Sequence, residues 1–185
     1  MPGSLPRTAV VVPGRLYGPY TPLLMFAGGA AEARGAQVRS LDRTPPAHLY
    51  QDADPAERSA WVVDQVRPVV DALDGPPLLV GKSLGSYAAT LAAQRGLAAV
   101  WLTPLLRDER IVRALRASSA PCLLVGGTAD PAWDGPLARG LSPHVLEIDG
   151  ADHGMFVPGP LAASAAVLGL VVTAVERFLD EVVWR

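Results

Sequence analysis

The chain has 185 residues, half of them hydrophobic, with a formal net charge of −2 and a pI of about 5.9. That length and apolar content give one domain with a sizeable core and exclude a disordered chain. The balanced charge, with no basic patch, argues against nucleic-acid binding, and the lone cysteine, Cys122, excludes an internal disulfide or a cysteine metal cluster.

In chain order, Thr8 to Pro13 is a β-branched run that predicts a buried strand, and Gly14 to Pro19 a glycine-rich loop. Tyr20 to Arg34 predicts a helix, weakened by Gly28-Gly29 and ended by Gly35. Gln37 to Asp42 predicts a short strand and Arg43 to Asp54 a loop. Asp54 then caps a helix that has Pro55 at its first position and Trp61, Val62, Val66, Val69, Val70 and Leu73 at helical spacing. Pro68 inside this helix should kink it or cost a hydrogen bond.

Pro77 to Val80 predicts a buried strand, and Ser86 to Ala93 the start of a small-residue helix. Ala98 to Thr103 is the next strand, Arg107 to Ser118 a charged helix and Pro121 to Val125 a further strand. Ala132 to Leu141 is a short helix or loop, His144 to Ile148 the last strand, and Pro160 to Trp184 a long closing helix. Strands alternating with helices in this way predict a mostly parallel sheet of about six strands, covered on both faces.

Between the third strand and its helix lies Gly81-Lys82-Ser83-Leu84-Gly85. Gly-x-Ser-x-Gly in a strand–turn–helix setting is a nucleophile elbow, a strained turn that exposes the serine hydroxyl. The glycines are expected because Cβ atoms two residues either side of the serine would collide in so tight a turn. The rival reading, a phosphate-binding loop over Gly75 and Gly81-Lys82-Ser83, is one residue too long. It would also fill the flexible loop with the strand residues Pro-Pro-Leu-Leu-Val. Lys82 is the only lysine in the chain, and its plain reading is an ion pair or a solvated head at a strand end.

In parallel sheets the working site lies at the carboxyl ends of the strands. The residues just past those ends include Arg15, Ser83, Thr103, Asp130 and His153. Ser83, Asp130 and His153 follow one another in the chain order of the α/β-hydrolases. With the elbow, Gly-Thr-Ala-Asp after the penultimate strand and Gly-Ala-Asp-His after the last, the chain resembles small α/β-hydrolases without a lid. It is similar to the dienelactone-hydrolase-like and small esterase branches over nearly its whole length. The resemblance implies a three-layer α/β-hydrolase fold as one domain over residues 1–185, without the family's first two strands and without a cap.

A serine hydroxyl needs a base to become nucleophilic, and His153 is the candidate. Asp130 would hold its tautomer and stabilise its charged form, with Asp134 and Asp152 as substitutes. The oxyanion of the tetrahedral intermediate needs fixed donors worth roughly 3–4 kcal/mol each. These are expected from the N–H of Leu84 and from the loop after the first strand, Arg15 or else Leu16. Many relatives have His where this chain has Pro13, which leaves that second donor open. The dienelactone enzymes carry a cysteine nucleophile where this chain has Ser83, so their substrate is not inherited. Leu16, Tyr17, Trp133, Met155 and Phe156 are candidates to line an apolar substrate pocket, with packing under the loops as the alternative. Cys122 is expected to pack as a small hydrophobe.

The function expected is a serine hydrolase of carboxylic esters or thioesters acting on a small-molecule acyl substrate. The alternatives are a lyase, cyclase or acyltransferase on the same scaffold, or a non-catalytic binding protein. No metal or organic cofactor is implied, because His48, His144 and His153 show no metal-ligand spacing. Met1 to Val12 has one basic residue and too short an apolar run for a signal peptide, and Leu161 to Val175 falls short of a membrane span and carries Ser164 and Thr173. No nucleic-acid or membrane partner is therefore expected, the expected setting is the cytoplasm, and the oligomeric state is open.

Overall fold

The computed structural model describes residues 6–42, 44–51 and 53–185. Six strands, β1 Thr8–Val12, β2 Gln37–Ser40, β3 Leu78–Lys82, β4 Ala99–Leu102, β5 Cys122–Gly127 and β6 His144–Ile148, form one parallel sheet in the order β2-β1-β3-β4-β5-β6. The central strands read as unbroken apolar runs because both of their faces are buried. Val10, Val12, Leu79, Ala99, Trp101 and Leu124 point to one face, and Ala9, Val11, Leu78, Val80, Val100 and Val125 to the other.

Helices α1 (Pro22–Glu32) and α7 (Leu161–Phe178) cover the second face. Helices α3 (Pro55–Asp71), α4 (Ala89–Arg95), α5 (Glu109–Ala117) and α6 (Gly135–Leu141) cover the first. Asp54 caps α3 as expected, its carboxylate accepting from Ala56 N at 2.7 Å. The helix runs on through Pro68, which is exposed, so the carbonyl that loses its partner there can turn to water. Gly28 and Gly29 are likewise carried inside α1, and Gly28 lies against Val11 and Val38.

Several boundaries differ from the sequence expectation. Within the loop expected over Arg43 to Asp54, His48–Gln51 forms a short helix, α2, while Arg43 and Asp52 lie outside the described residues. Strand β3 continues through Gly81 to Lys82, and β5 continues through Gly126 and Gly127, because both strands are paired along those residues. The helix after β3 opens with a 3₁₀ segment, Ser83–Ala88, before α4. Helix α7 ends in a π-helical turn, Leu179–Val183. The helical run Leu161–Val183, 23 residues, extends beyond the Leu161 to Val175 stretch and is long and apolar enough, by length and composition alone, to cross a membrane. Here its Val167, Val171, Val175 and Phe178 stripe packs on the sheet instead.

The chain turns one way from β1 to β2 and the other way from β3 onward, so the strand order reverses between β1 and β3. Loops leaving the carboxyl ends of two such strands diverge and leave a crevice between them. Lys82, Leu102 and Val125 stand in register across β3, β4 and β5. The segments that follow them therefore emerge along one rim.

Candidate active site

The elbow is built by close approach. A Cβ on Gly85 would lie 2.3 Å from the Val12 carbonyl oxygen, and one on Gly81 would lie 2.6 Å from the Trp101 ring and 2.9 Å from the Gly85 carbonyl oxygen. The glycines thus let the turn press on β1 and β4, rather than only sparing a clash between themselves. Between them Ser83 is held at φ 51°, a left-handed conformation that costs a non-glycine residue of order 1–3 kcal/mol. Its carbonyl accepts from the Ser86 hydroxyl at 2.6 Å, and Ser86 Oγ in turn accepts from Leu105 N at 3.2 Å.

Ser83 Oγ lies 2.8 Å from His153 Nε2, and His153 Nδ1 lies 2.7 Å from Asp130 Oδ2. A carboxylate only accepts, so Nδ1 carries the proton and donates to Asp130, which leaves Nε2 to accept from the serine hydroxyl. Asp130 is 3% exposed, and its other oxygen accepts from Ala132 N at 2.8 Å. The two substitutes for Asp130 have other work. Asp134 caps α6 at Leu137 N, and Asp152 accepts from Gly154 N and Phe156 N, which shapes the loop that carries His153.

Lys82 is neither solvated nor in a direct ion pair. It is 3% exposed and its Nζ donates to Thr103 Oγ1 at 3.1 Å and to the His153 carbonyl oxygen at 3.0 Å. It also sits 4.6 Å from the Tyr17 ring centroid. Burial pushes this ammonium down to about 8, against the opposing pull of the Asp130 and Asp152 charges.

A cavity of about 410 Å³ opens over Ser83 and His153, with Arg15, Leu16, Tyr17 and Leu84 in its lining. A second, mainly apolar crevice of about 250 Å³ shares Tyr17 and Gly154 with it and adds Leu23, Met155, Phe156 and Leu168.

No family model matches the chain, and no curated protein matches it. Solved structures do. Est1E of Butyrivibrio proteoclasticus, solved with ferulic acid bound, superposes with a TM-score of 0.72 at 15% identity, over 97% of this chain and 90% of that one. A protein of Xanthomonas campestris pv. campestris, described as a hydrolase of the alpha/beta superfamily, gives 0.72 at 21% identity over 95% and 99%. A second Xanthomonas campestris protein, described as an α/β serine hydrolase without a lid, gives 0.60 at 18% identity over 95% and 84%. The fold is that of a lid-less α/β-hydrolase.

On this α/β-hydrolase scaffold the expected site residues separate. Ser83, Asp130 and His153 come together, and Arg15, Leu16, Tyr17 and Leu84 line the cavity beside them. Met155 and Phe156 line the neighbouring crevice. Trp133 does not reach either space. It is 4% exposed, covers Gly126 and donates from Nε1 to Glu147 Oε2 at 2.7 Å, so packing under the loop is its role. No phosphate loop forms between Gly75 and Gly81, because Leu78–Gly81 belongs to β3 and only Pro76 and Pro77 separate that strand from Gly75. Cys122 is buried in the core as expected, with its thiol pushed up by burial.

Sequence reasoning missed Arg58, Leu49, Leu105 and Gly154 in the cavity lining. Gly154 and Leu105 lie close after β6 and β4, where position past a strand end was a usable signal. Arg58 and Leu49 belong to α3 and α2 and carried none.

Proposed function

We propose that the protein is a serine hydrolase that cleaves carboxylic esters or thioesters through an acyl-Ser83 intermediate. One observation carries this reading: the unbroken relay from Ser83 through His153 to Asp130, with contacts of 2.8 and 2.7 Å, opens into a cavity. His153 Nε2 takes the hydroxyl proton as Oγ attacks the acyl carbon, and the carbonyl electron pair moves onto oxygen. The N–H of Leu84 and that of Arg15, with Leu16 in reserve, hold the oxyanion. Collapse breaks the bond to the alkoxide or thiolate, which leaves with the proton from the imidazolium. Water then repeats the cycle, giving its proton to Nε2 and its oxygen to the acyl carbon, and Ser83 is restored.

The acyl chain lies in the crevice of Tyr17, Met155 and Phe156, and the leaving group faces the more polar cavity with Leu16 at its mouth. Leu16 is 82% exposed and Phe156 55%, which supports a site open to extended substrates. The unpaired, buried Cys122 thiol fits a reducing, cytoplasmic setting.

Ser83→Ala tests the mechanism. It should abolish labelling by a fluorophosphonate and the burst of p-nitrophenol from p-nitrophenyl esters, while leaving the thermal unfolding transition in place. Full turnover by that variant would overturn the reading.

A further inference from the structure

The elbow residue Lys82 is unusual in what it reaches. Its side chain leaves the last position of β3 and is buried, with three partners around one nitrogen. The Thr103 hydroxyl, at the end of β4, accepts at 3.1 Å, and the carbonyl of His153, after β6, accepts at 3.0 Å. The Tyr17 ring, from the loop after β1, lies 4.6 Å away, within cation–π range. Each partner is itself constrained. Thr103 sits at φ 43° with its N–H donating to Val125 O at 2.7 Å. Tyr17 accepts at its carbonyl from Gly14 N at 3.0 Å and at its hydroxyl from Leu23 N at 2.9 Å. The ammonium therefore joins the elbow, the loop that carries the expected oxyanion donor, and the loop that carries the base. A buried ammonium is costly to desolvate, and here it is placed where it spans the reacting groups.

We propose that Lys82 is a positioning residue of this active site, whose charged amine fastens the His153 loop and the Tyr17 loop to the nucleophile elbow. The assignment rests on the serine-hydrolase reading for its catalytic consequence, but the fastening itself is a property of the fold. An ammonium has three N–H donors and can serve all three partners at once. A neutral amine keeps two N–H groups and no charge, so the hold on the Tyr17 ring is the first to go. The titratable and charged groups around it are Tyr17 after β1, Asp130 after β5, and Asp152 and His153 after β6, with Arg15 and Arg58 in the same cavity lining. As pH rises through about 8 the amine loses its proton. The catalytic efficiency should then fall on the alkaline side.

The test compares Lys82→Met and Lys82→Arg with the unaltered chain, by ester hydrolysis across pH and by amide hydrogen exchange. Lys82→Met should lower kcat/KM by about 10²-fold, mostly in kcat, as a displaced base does. It should also speed exchange in residues 14–18 and 152–156 and remove the alkaline fall. Arginine stays protonated throughout the range, so Lys82→Arg should recover at least about tenfold of that loss and show no fall near pH 8. Should Lys82→Met fail to fold, Thr103→Val keeps the ammonium and removes one acceptor, and should give the same faster exchange in residues 152–156. The exchange measurement reads the fastening whether or not esters are cleaved. A chain that hydrolyses nothing but loses loop protection in Lys82→Met therefore refutes the hydrolase reading alone. Unchanged loop exchange and unchanged kcat in Lys82→Met, or an alkaline fall that persists in Lys82→Arg, overturns the role of Lys82.

Discussion

Replacing Asp130 by Asn would keep the shape of the relay and reverse one polarity. The Asn amide donates to Nδ1, which drives the imidazole proton to Nε2, where it can no longer accept from Ser83. The expected outcome is a fall in kcat of about 10⁴-fold with little change in KM, checked by steady-state kinetics on a p-nitrophenyl ester. A second change at this scale concerns backbone approach. Gly85→Ala places a methyl 2.3 Å from the Val12 carbonyl oxygen and 3.0 Å from that of Pro13, both of them main-chain atoms that cannot swing aside. It should destabilise the protein by about 2–4 kcal/mol, read as a lower urea midpoint, with labelling of Ser83 lost as the turn is displaced. Residues of this kind were legible in the sequence because their chemistry is local: a Gly-x-Ser-x-Gly after an apolar run has few other uses. Lys82 was not legible in the same way. Its three partners lie 21, 65 and 71 positions away along the chain, at Thr103, Tyr17 and His153, and nothing near residue 82 announces them.

The elements show where pairing overrides local pattern. Gly126 and Gly127 look like loop residues, yet both are paired with β6, and Trp133 folds back over Gly126 where any side chain would collide with it. The closing helix is anchored by charge as well as by its apolar stripe. Arg34, just past α1, grips Asp180 in the π-helical turn through Nε at 2.6 Å and Nη2 at 2.7 Å, and reaches Glu176 at 3.3 Å. The guanidinium holds the Asp180 carboxyl below its ordinary value, first through this hydrogen bond and then through its charge. A carboxyl depressed in the folded state adds stability above its unfolded value and loses it as pH falls through the folded one. Arg34→Met should therefore lower the urea midpoint at neutral pH. Its difference from the unaltered chain should shrink below about pH 4, where the unfolded-state carboxyl takes up its proton. A difference independent of pH would mean that the arginine acts by packing alone.

For the whole molecule, topology places the site before any side chain does. The reversal of strand order between β1 and β3 opens the crevice, residues after β1, β3, β4 and β6 line it, and the Ser83–His153–Asp130 relay joins the segments after β3, β6 and β5. Leu168→Trp in α7 should fill the crevice beside Met155 and Phe156. It should then lower kcat/KM for octanoyl esters about tenfold more than for acetyl esters, measured as the ratio of the two. The sequence by itself determined the alternation of strands and helices and singled out Ser83, Asp130 and His153, which the structure brings within hydrogen-bond reach of one another. Each of these is written in neighbouring residues, as apolar period, turn chemistry and position just past a strand end. Only the tertiary structure decided that Trp133 packs away from the cavity, that Arg58 and Leu105 enter its lining, and that one buried amine ties three loops together. Those outcomes depend on which distant segments the sheet order brings side by side, and on the cost of leaving a buried charged or polar group such as the Lys82 amine without partners among them.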